Sequence, residues 1–322
     1  MTTKQQVLDL LEQNRGSFLS GEDLASRLSI SRTAVWKAIG ALREEGHAIC
    51  AQGGRGYCLS PDSDRLSTPA ILQALRHPVF DVRVLPETGS TNDDAKRAAE
   101  SGAGEFTVIA AERQHSGKGR LGRSFYSPQN TGIYFSIILR PRMPVEDALY
   151  ITTAAAAATA EAIEEVCGKQ AGIKWVNDIF IDGKKVCGIL TEASINMESG
   201  SLAYAVLGIG VNVAPPEGDF PAELTTIAGS VCQAGEYRPG MRNRLLAAIL
   251  DRFYDYYMAF PARSFLDTYR SRSILTGRQV TVHRGDLQYP AQVTGIDDCC
   301  RLCILRDGKP ELLSSGEVSV RL

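Results

Sequence analysis

Between Gln114 and Arg123 the chain reads Gln-His-Ser-Gly-Lys-Gly-Arg-Leu-Gly-Arg, which sets Gly117, Gly119 and Gly122 among Lys118, Arg120 and Arg123. Glycine has no Cβ, so successive N–H groups can turn toward one point, and the three cations add full positive charge around it. Such a segment suits an anion with several oxygens, a carboxylate or a phosphate. A solvated basic loop is the bland alternative that the letters alone leave open. The spacing also satisfies G-x-G-x-x-G and comes within one residue of a P-loop, but both motifs require a helix that starts at the glycines. Ser124 to Gly132 is full of helix breakers, and an arginine stands where the P-loop lysine belongs. Neither nucleotide motif is read here.

Further candidates are spread along the chain. Ser90-Thr91-Asn92 precedes Asp93 and Asp94, a sequence that would cap a helix and could equally hold a small polar ligand. Asn177, Asp178 and Asn212 fall at strand ends or turns, where polar groups also cap bends. Lys184 and Lys185 follow Asp182-Gly183 at an expected hairpin tip, where lysines are ordinarily solvated. Of eight cysteines only Cys299, Cys300 and Cys303 cluster, and a structural zinc site would want a fourth ligand that the isolated His283 does not supply. They read as thiols on a half-buried strand, with no metal site built from protein alone.

The elements that must position these residues follow from periodicity. Val7, Leu8 and Leu11 form one helical stripe, Ser20 to Asp23 opens a second helix with Leu24 and Leu28, and Val35, Ile39 and Leu42 mark a third that Gly46 stops. Strand-like runs at Ala48 to Ala51 and Tyr57 to Leu59 flank Gly53-Gly54-Arg55-Gly56, as in a wing. This predicts a winged helix-turn-helix over 1–62, followed by the polar linker Ser60 to Asp64. Arg32, Thr33, Trp36, Lys37 and Gly40 lie off the apolar stripe on a face that could enter a DNA major groove, with Arg43 and Arg55 placed for phosphates.

From 63 to 274 strands and helices mix: strands at Val82 to Leu85, Phe106 to Ala110 and Ile133 to Leu139, one at Ile173 to Ile181, others at Lys185 to Glu192 and Ala203 to Val213, and helices from Asp93, through Ala154 to Val166 and over Arg242 to Phe260. After Thr276, short strands broken by Gly285-Asp286, Gly295 to Asp298, Asp307-Gly308 and Ser315-Gly316 predict a small antiparallel β-barrel over 275–322. The class is α+β.

With 322 residues, 44% of them hydrophobic, the chain can bury a core in two or three domains. A net charge of −2 supplies no global field toward nucleic acid or acidic membranes, so any DNA contact must be local. The N-terminus lacks the apolar core of a signal peptide and no apolar run is long enough to span a bilayer, which points to a cytoplasmic protein.

The glycine-cation segment resembles the signature of biotin protein ligases. Four other stretches in the same order look like that family: Ser90-Thr91-Asn92, Lys174-Trp175-Val176-Asn177-Asp178, Lys185-Val186-Cys187-Gly188-Ile189-Leu190 and Gly208-Ile209-Gly210-Val211-Asn212. With the helix-turn-helix, the whole chain resembles ligases that double as repressors of biotin genes. Departures are Val176 where the family has proline, and Lys118 and Leu121 where it often has arginines.

The resemblance implies a central domain of the biotin/lipoate ligase type and a C-terminal SH3-like barrel. It implies that ATP, with Mg²⁺, activates biotin as biotinyl-5′-AMP, and that the acyl group then passes to a lysine of a carboxylase biotinyl domain. Lys185 and Arg120 become the catalytic candidates, with Lys184 as competitor to the first. Ser90, Thr91, Asn92, Gln114, Gly117, Lys118, Gly119 and Gly188 join them around biotin and its adenylate, while Arg123, Lys174, Asn177, Asp178 and Asn212 fall near ATP and Mg²⁺. Operator DNA and a homodimer formed on adenylate binding are the further implied partners. A lipoate-type ligase and a non-catalytic ligand-sensing transcription factor are the rival readings. The segment Pro215 to Glu236 could fold over the adenine.

Overall fold

The computed structural model describes residues 2–195, 202–284, 287–314 and 317–319. Three capped helices open the chain. In α1 (Thr3–Gln13) the Thr2 hydroxyl accepts the Gln5 N–H while the Gln5 side chain accepts the Thr2 N–H, so two otherwise orphaned donors are satisfied reciprocally. Ser20 caps α2 (Gly21–Leu28) and Ser31 caps α3 (Arg32–Glu44) through their side-chain oxygens. The hairpin β1 (Ile49–Gln52) and β2 (Gly56–Leu59) completes the wing. Gly56 is obligatory: at φ 101° a Cβ there would lie 2.1 Å from the Leu19 carbonyl oxygen. Val7, Leu11, Leu24, Val35, Ile39, Leu42, Ile49 and Leu59 bury one another in a core of their own.

The next segment crosses to the second core. Arg15 donates to the Ser63 carbonyl at 2.7 Å, and the Ser67 hydroxyl donates to Glu12 at 2.9 Å. After α4 (Thr68–Ala74) comes a seven-stranded sheet of order β3-β4-β5-β9-β8-β7-β6, formed by Asp81–Leu85, Thr107–Ala111, Gly132–Leu139, Leu202–Asn212, Lys184–Ile195, Asp178–Ile181 and Gly172–Lys174. Only β3 and β4 run parallel, joined through α5 (Thr91–Glu100). One face carries Phe135, Leu207, Ile209 and Val211 into the main core with α6 (Leu149–Cys167) and α7 (Met241–Met258). The other is covered by α5, whose Ala95 and Ala99 meet Ile109, Ile138 and Val206. Beyond α5, that second face stays open over Gly208 and Gly210, which leaves room for a site.

The sequence predicts one strand over Ile173 to Ile181. Instead the chain reverses: Lys174 pairs with Asp178, and Trp175, Val176 and Asn177 form the connecting loop, which contains a cis Trp175–Val176 bond. Polar anchoring at the loop replaces strand pairing. Asn177 Nδ2 donates to the Ile189 carbonyl at 2.8 Å and Trp175 Nε1 to the Cys300 carbonyl at 2.9 Å.

Following α8 (Phe265–Ser271), a five-stranded antiparallel sheet of order β13-β12-β11-β10-β14 ends the fold, built from Lys309–Leu313, Leu302–Arg306, Leu287–Ile296, Gln279–Arg284 and Glu317–Ser319. The expected turns at Gly285-Asp286 and Ser315-Gly316 lie outside the described residues. Cys299 and Cys300 belong to the turn between β11 and β12 rather than to a strand, and Cys300 adopts φ 60°. Val280, Val282, Val293, Leu302 and Ile304 enter the same core as α6 and α7.

Candidate active site

On the open face of the seven-stranded sheet lies a cavity of about 520 Å³. Two in-register glycine pairings create it: Gly188 faces Gly210, and Gly208 faces Leu190. A Cβ on Gly208 would stand 2.0 Å from Asn92 Oδ1, and one on Gly210 would stand 2.6 Å from the Phe125 ring. Only glycine admits both neighbours.

Hydroxyls and amides converge at the Gly208 end. Ser90 begins α5, yet its side chain makes no capping hydrogen bond, so capping does not account for a serine there. Gln114 Oε1 accepts the Thr91 N–H at 2.9 Å, and Gln114 Nε2 donates to Ser127 Oγ at 2.9 Å. The Ser136 hydroxyl lies 2.6 Å from Asn92 Oδ1, and Asn92 Nδ2 donates to Glu192 at 2.8 Å. Burial raises the Glu192 carboxyl, but the Lys96 ammonium and the Asn92 amide outweigh it and hold the group below its ordinary range. The acceptor that orients Asn92 therefore stays ionised.

Cations gather at the Gly188 end. Gly119 N–H donates to the Arg123 carbonyl at 2.7 Å, and Phe125 N–H to the Gly117 carbonyl at 2.8 Å, so the glycine-cation segment closes as a tight hairpin with Arg120, Leu121 and Gly122 at its tip. Arg120 Nη1 donates to Asn177 Oδ1 at 3.0 Å, and Lys118 pairs with Asp93. The Lys185 ammonium lies 2.6 Å from Asp178 Oδ1, over the space that a Cβ on Gly188 would crowd. That contact is an ion pair without hydrogen-bond angles, and the buried Asp178 Oδ1 has no hydrogen bond. Lys184 is turned away, its ammonium on the Thr225 carbonyl.

Ser90, Thr91, Asn92, Gln114, Lys118, Gly119, Arg120, Arg123, Lys174, Asn177, Asp178, Lys185 and Gly188 all line this one cavity. Two expected members do not. Gly117 lies behind it, where a Cβ would meet the Phe125 carbonyl oxygen at 2.4 Å. Asn212 donates to the Gly229 carbonyl at 3.0 Å and so anchors the segment after β9. No residue from 215 to 236 lines the cavity; its 227–229 stretch pairs with Lys185 through backbone bonds instead.

Residue-type reasoning passed over Phe125, Trp175, Gly208, Gly210 and His283, which also line it. Alternating glycines within one strand were the legible signal for an open face. Nothing in the sequence foretold that β10 would bring His283 to the rim. Five cations and one carboxylate line the cavity among the described residues. That balance favours a ligand with several negative oxygens, while the amide end and its apolar walls suit a small uncharged head.

A second surface belongs to the wing. Arg32, Thr33, Trp36, Lys37 and Gly40 are all exposed along α3, and Trp36 keeps 66% of its surface. Arg43 Nε donates to the Ile49 carbonyl, tying α3 to the wing, and the Arg55 guanidinium stands 4.4 Å from the centre of the Phe18 ring.

Comparison with known proteins agrees with this geometry. Residues 3–58 match the family described as HTH domain, 84–212 the biotin/lipoate A/B protein ligase family, and 275–321 the biotin protein ligase C-terminal domain. The bifunctional ligase/repressor BirA of Bacillus subtilis is 37% identical over 260 residues, 79% of each chain. Its namesake from Escherichia coli is 29% identical over 316 residues, 95% of this chain and 94% of that one. Among solved structures, the biotin protein ligase of Aquifex aeolicus in complex with biotin and ATP superposes with a TM-score of 0.60 at 26% identity, over 75% of this chain and 98% of that one. With three ordered domain matches and relatives of this coverage, the chain belongs to the biotin protein ligase family, in the form that carries an N-terminal helix-turn-helix.

Proposed function

We infer that this chain is an ATP-dependent biotin protein ligase and a DNA-binding repressor, and that the cavity on the open sheet face performs both ligase steps. The observation that carries this reading is that one cavity on the glycine-floored face is lined both by the hydroxyls and amides around Gly208 and by five cations. Biotin fits that division: its ureido ring offers donors and acceptors to Ser90, Thr91, Asn92 and Gln114, and its valerate carboxylate then points toward Lys118, Arg120 and Lys185.

In the first step the carboxylate oxygen attacks the α-phosphorus of ATP, a P–O bond forms, and pyrophosphate leaves. Anion meets polyanion, so positioned cations supply most of what the protein must add. The Lys185 ammonium stands over Gly188 of the glycine floor, paired with Asp178, Arg120 is braced by Asn177, and Arg123 and Lys174 line the same cavity. In the second step a substrate lysine amine attacks the acyl carbonyl, AMP leaves, and an amide results. Arg120 retains the adenylate until then.

Among the described residues no cluster of three His, Cys, Asp or Glu could hold a metal. Asp178, the carboxylate among the described lining residues, would hold a Mg²⁺ that arrives on the ATP phosphates by exchanging its Lys185 ion pair for the metal, and when bound that ion would neutralise phosphate charge. On the other surface, α3 enters a major groove and the wing meets phosphates. Two copies are expected on a two-fold operator, because one such domain makes few phosphate contacts. The acceptor is a carboxylase biotinyl domain, and the domain limits lie near residues 62 and 274.

Incubation with ATP and either biotin or lipoate, followed by mass spectrometry, tests the substrate. Biotinyl-5′-AMP alone is expected, and lipoyl-AMP would overturn the reading. Lys185→Ala should abolish biotin-dependent ATP–pyrophosphate exchange while Lys184→Ala keeps it. The reverse pattern would move the role to Lys184.

A further inference from the structure

We propose that Cys50 and Cys58 form a disulfide site across the wing, which a small-molecule disulfide such as oxidised glutathione closes. The two residues are direct cross-strand partners in the β1–β2 hairpin. Backbone bonding fixes which kind of pair they are. Tyr57 exchanges both its bonds with Leu19 on the other side, and Ser60 N–H donates to the Ala48 carbonyl, so the hydrogen-bonded pairs of the hairpin are 48 with 60 and 50 with 58. Such pairs have Cα atoms about 5.5 Å apart, inside the roughly 4.4–6.8 Å that disulfides span.

Both side chains share one face of the hairpin, since cross-strand partners do, while Ile49 and Leu59 take the opposite face into the core. The Cys50 thiol already reaches across, donating to the Cys58 carbonyl at 3.4 Å. Exposure divides the roles: Cys50 is exposed and Cys58 is buried. Burial and the neighbouring Cys50 thiol also push the Cys58 thiol up, so Cys50 opens the reaction. Elsewhere Cys187 and Cys300 are fully buried, and the exposed Cys299 sits in a turn without a cross-strand cysteine.

The chemistry balances without a further oxidant. Cys50 thiolate attacks one sulfur of oxidised glutathione, the S–S bond breaks, and one glutathione leaves as thiolate and takes up a proton. Cys58 thiolate then attacks Cys50 Sγ in the mixed disulfide and expels the second glutathione. Two protein thiols are oxidised and one glutathione disulfide is reduced to two thiols. Closure draws the Cβ atoms from about 4.5–5.5 Å to about 3.8 Å, which retwists the hairpin and re-aims the tip that carries Arg55.

The test uses the full chain, reduced and then incubated with oxidised glutathione, with peptide mass spectrometry and pyrophosphate exchange read on the same sample. Expected is a loss of two hydrogen masses mapped to a Cys50–Cys58 linkage, with exchange unchanged within about twofold because the wing lies outside the cavity. C58S should stop at a stable glutathione adduct on Cys50, and C50S should give neither linkage nor adduct on Cys58. Wild-type chain that keeps both thiols free, joins copies through Cys50, or links instead the neighbouring Cys167 and Cys232 thiols of the central domain overturns the proposal. So does a tenfold loss of exchange on oxidation.

Discussion

One methyl group separates Gly208 from a blocked pocket. The missing Cβ leaves the space that Asn92 Oδ1 fills, and Asn92 is held there by both Ser136 and Glu192. Gly208→Ala therefore has no flexible neighbour to displace, and overpacking of this kind costs about 1–3 kcal/mol. It should weaken biotin binding by tenfold or more in isothermal titration, with a smaller effect on thermal unfolding than a core truncation has. Unchanged affinity would place the biotin head elsewhere. Residue types alone could not rank Lys184 against Lys185, because both stand beside one turn; in the fold Lys184 reaches the carbonyl of Thr225, a residue 41 positions away, and Lys185 lines the cavity. Gly117 was legible only as a member of the anion cradle; it does not line the cavity, and its close neighbour, the Phe125 carbonyl, exists only once the hairpin closes.

Among elements, the turn from α3 into β1 carries a titration of its own. His47 is buried there, and burial first, then the Arg65 cation, lower its pKa from 6.5 to about 4. The folded state thus keeps the imidazole neutral while the unfolded chain protonates it near 6.5. Stability contributed by neutral His47 is complete above pH 6.5 and is lost as pH falls from there toward about 4, by at most about 3 kcal/mol at one pK unit per 1.36 kcal/mol. Urea titrations at pH 7 and pH 4.5 should show this loss, and His47→Gln should flatten it; an equal slope in both proteins would exclude His47. Helices here were legible from apolar stripes and caps, as Val7, Leu11 and Ser20 illustrate. The break at Trp175 was not, because its anchors, the carbonyls of Ile189 and Cys300, lie far along the chain.

Across the whole molecule, Arg242 is the point where three segments meet. Fully buried in α7, it bonds Glu112 at 2.9 Å at the end of β4 and the Gly132 carbonyl at 3.2 Å, and it reaches the Asp64 carboxylate at 3.3 Å in the linker. Arg242→Met takes the partner from Glu112 Oε2 and leaves only the Leu66 N–H and the more distant Arg65 on Oε1, and breaking a buried pair costs about 3–5 kcal/mol. The urea midpoint should fall accordingly, and adding Glu112→Gln should recover part of the loss; a midpoint within error of wild type would contradict the network. The cores also predict how the chain divides. The wing domain has its own core, whereas the C-terminal sheet shares one with α6 and α7 and is further tied by Thr153 to Cys300 and by Arg270 to the Ile296 carbonyl. A chain starting at 63 should unfold cooperatively, and one ending at 274 should not, as read by calorimetry. That shared core was invisible in the strand pattern after Thr276, which suggested an independent module.

The chain has two tryptophans, and the fold gives them different surroundings. Trp36 stands exposed on the solvent-facing side of α3, whereas Trp175 is 5% exposed in the lining of the ligand cavity. Their light emission therefore reports on different events. Solvent quenchers reach the first and spare the second, so duplex DNA should shield the quenchable signal while biotin and ATP shift the protected one. Unlabelled protein thus carries one optical channel for DNA and a separate one for biotin and ATP.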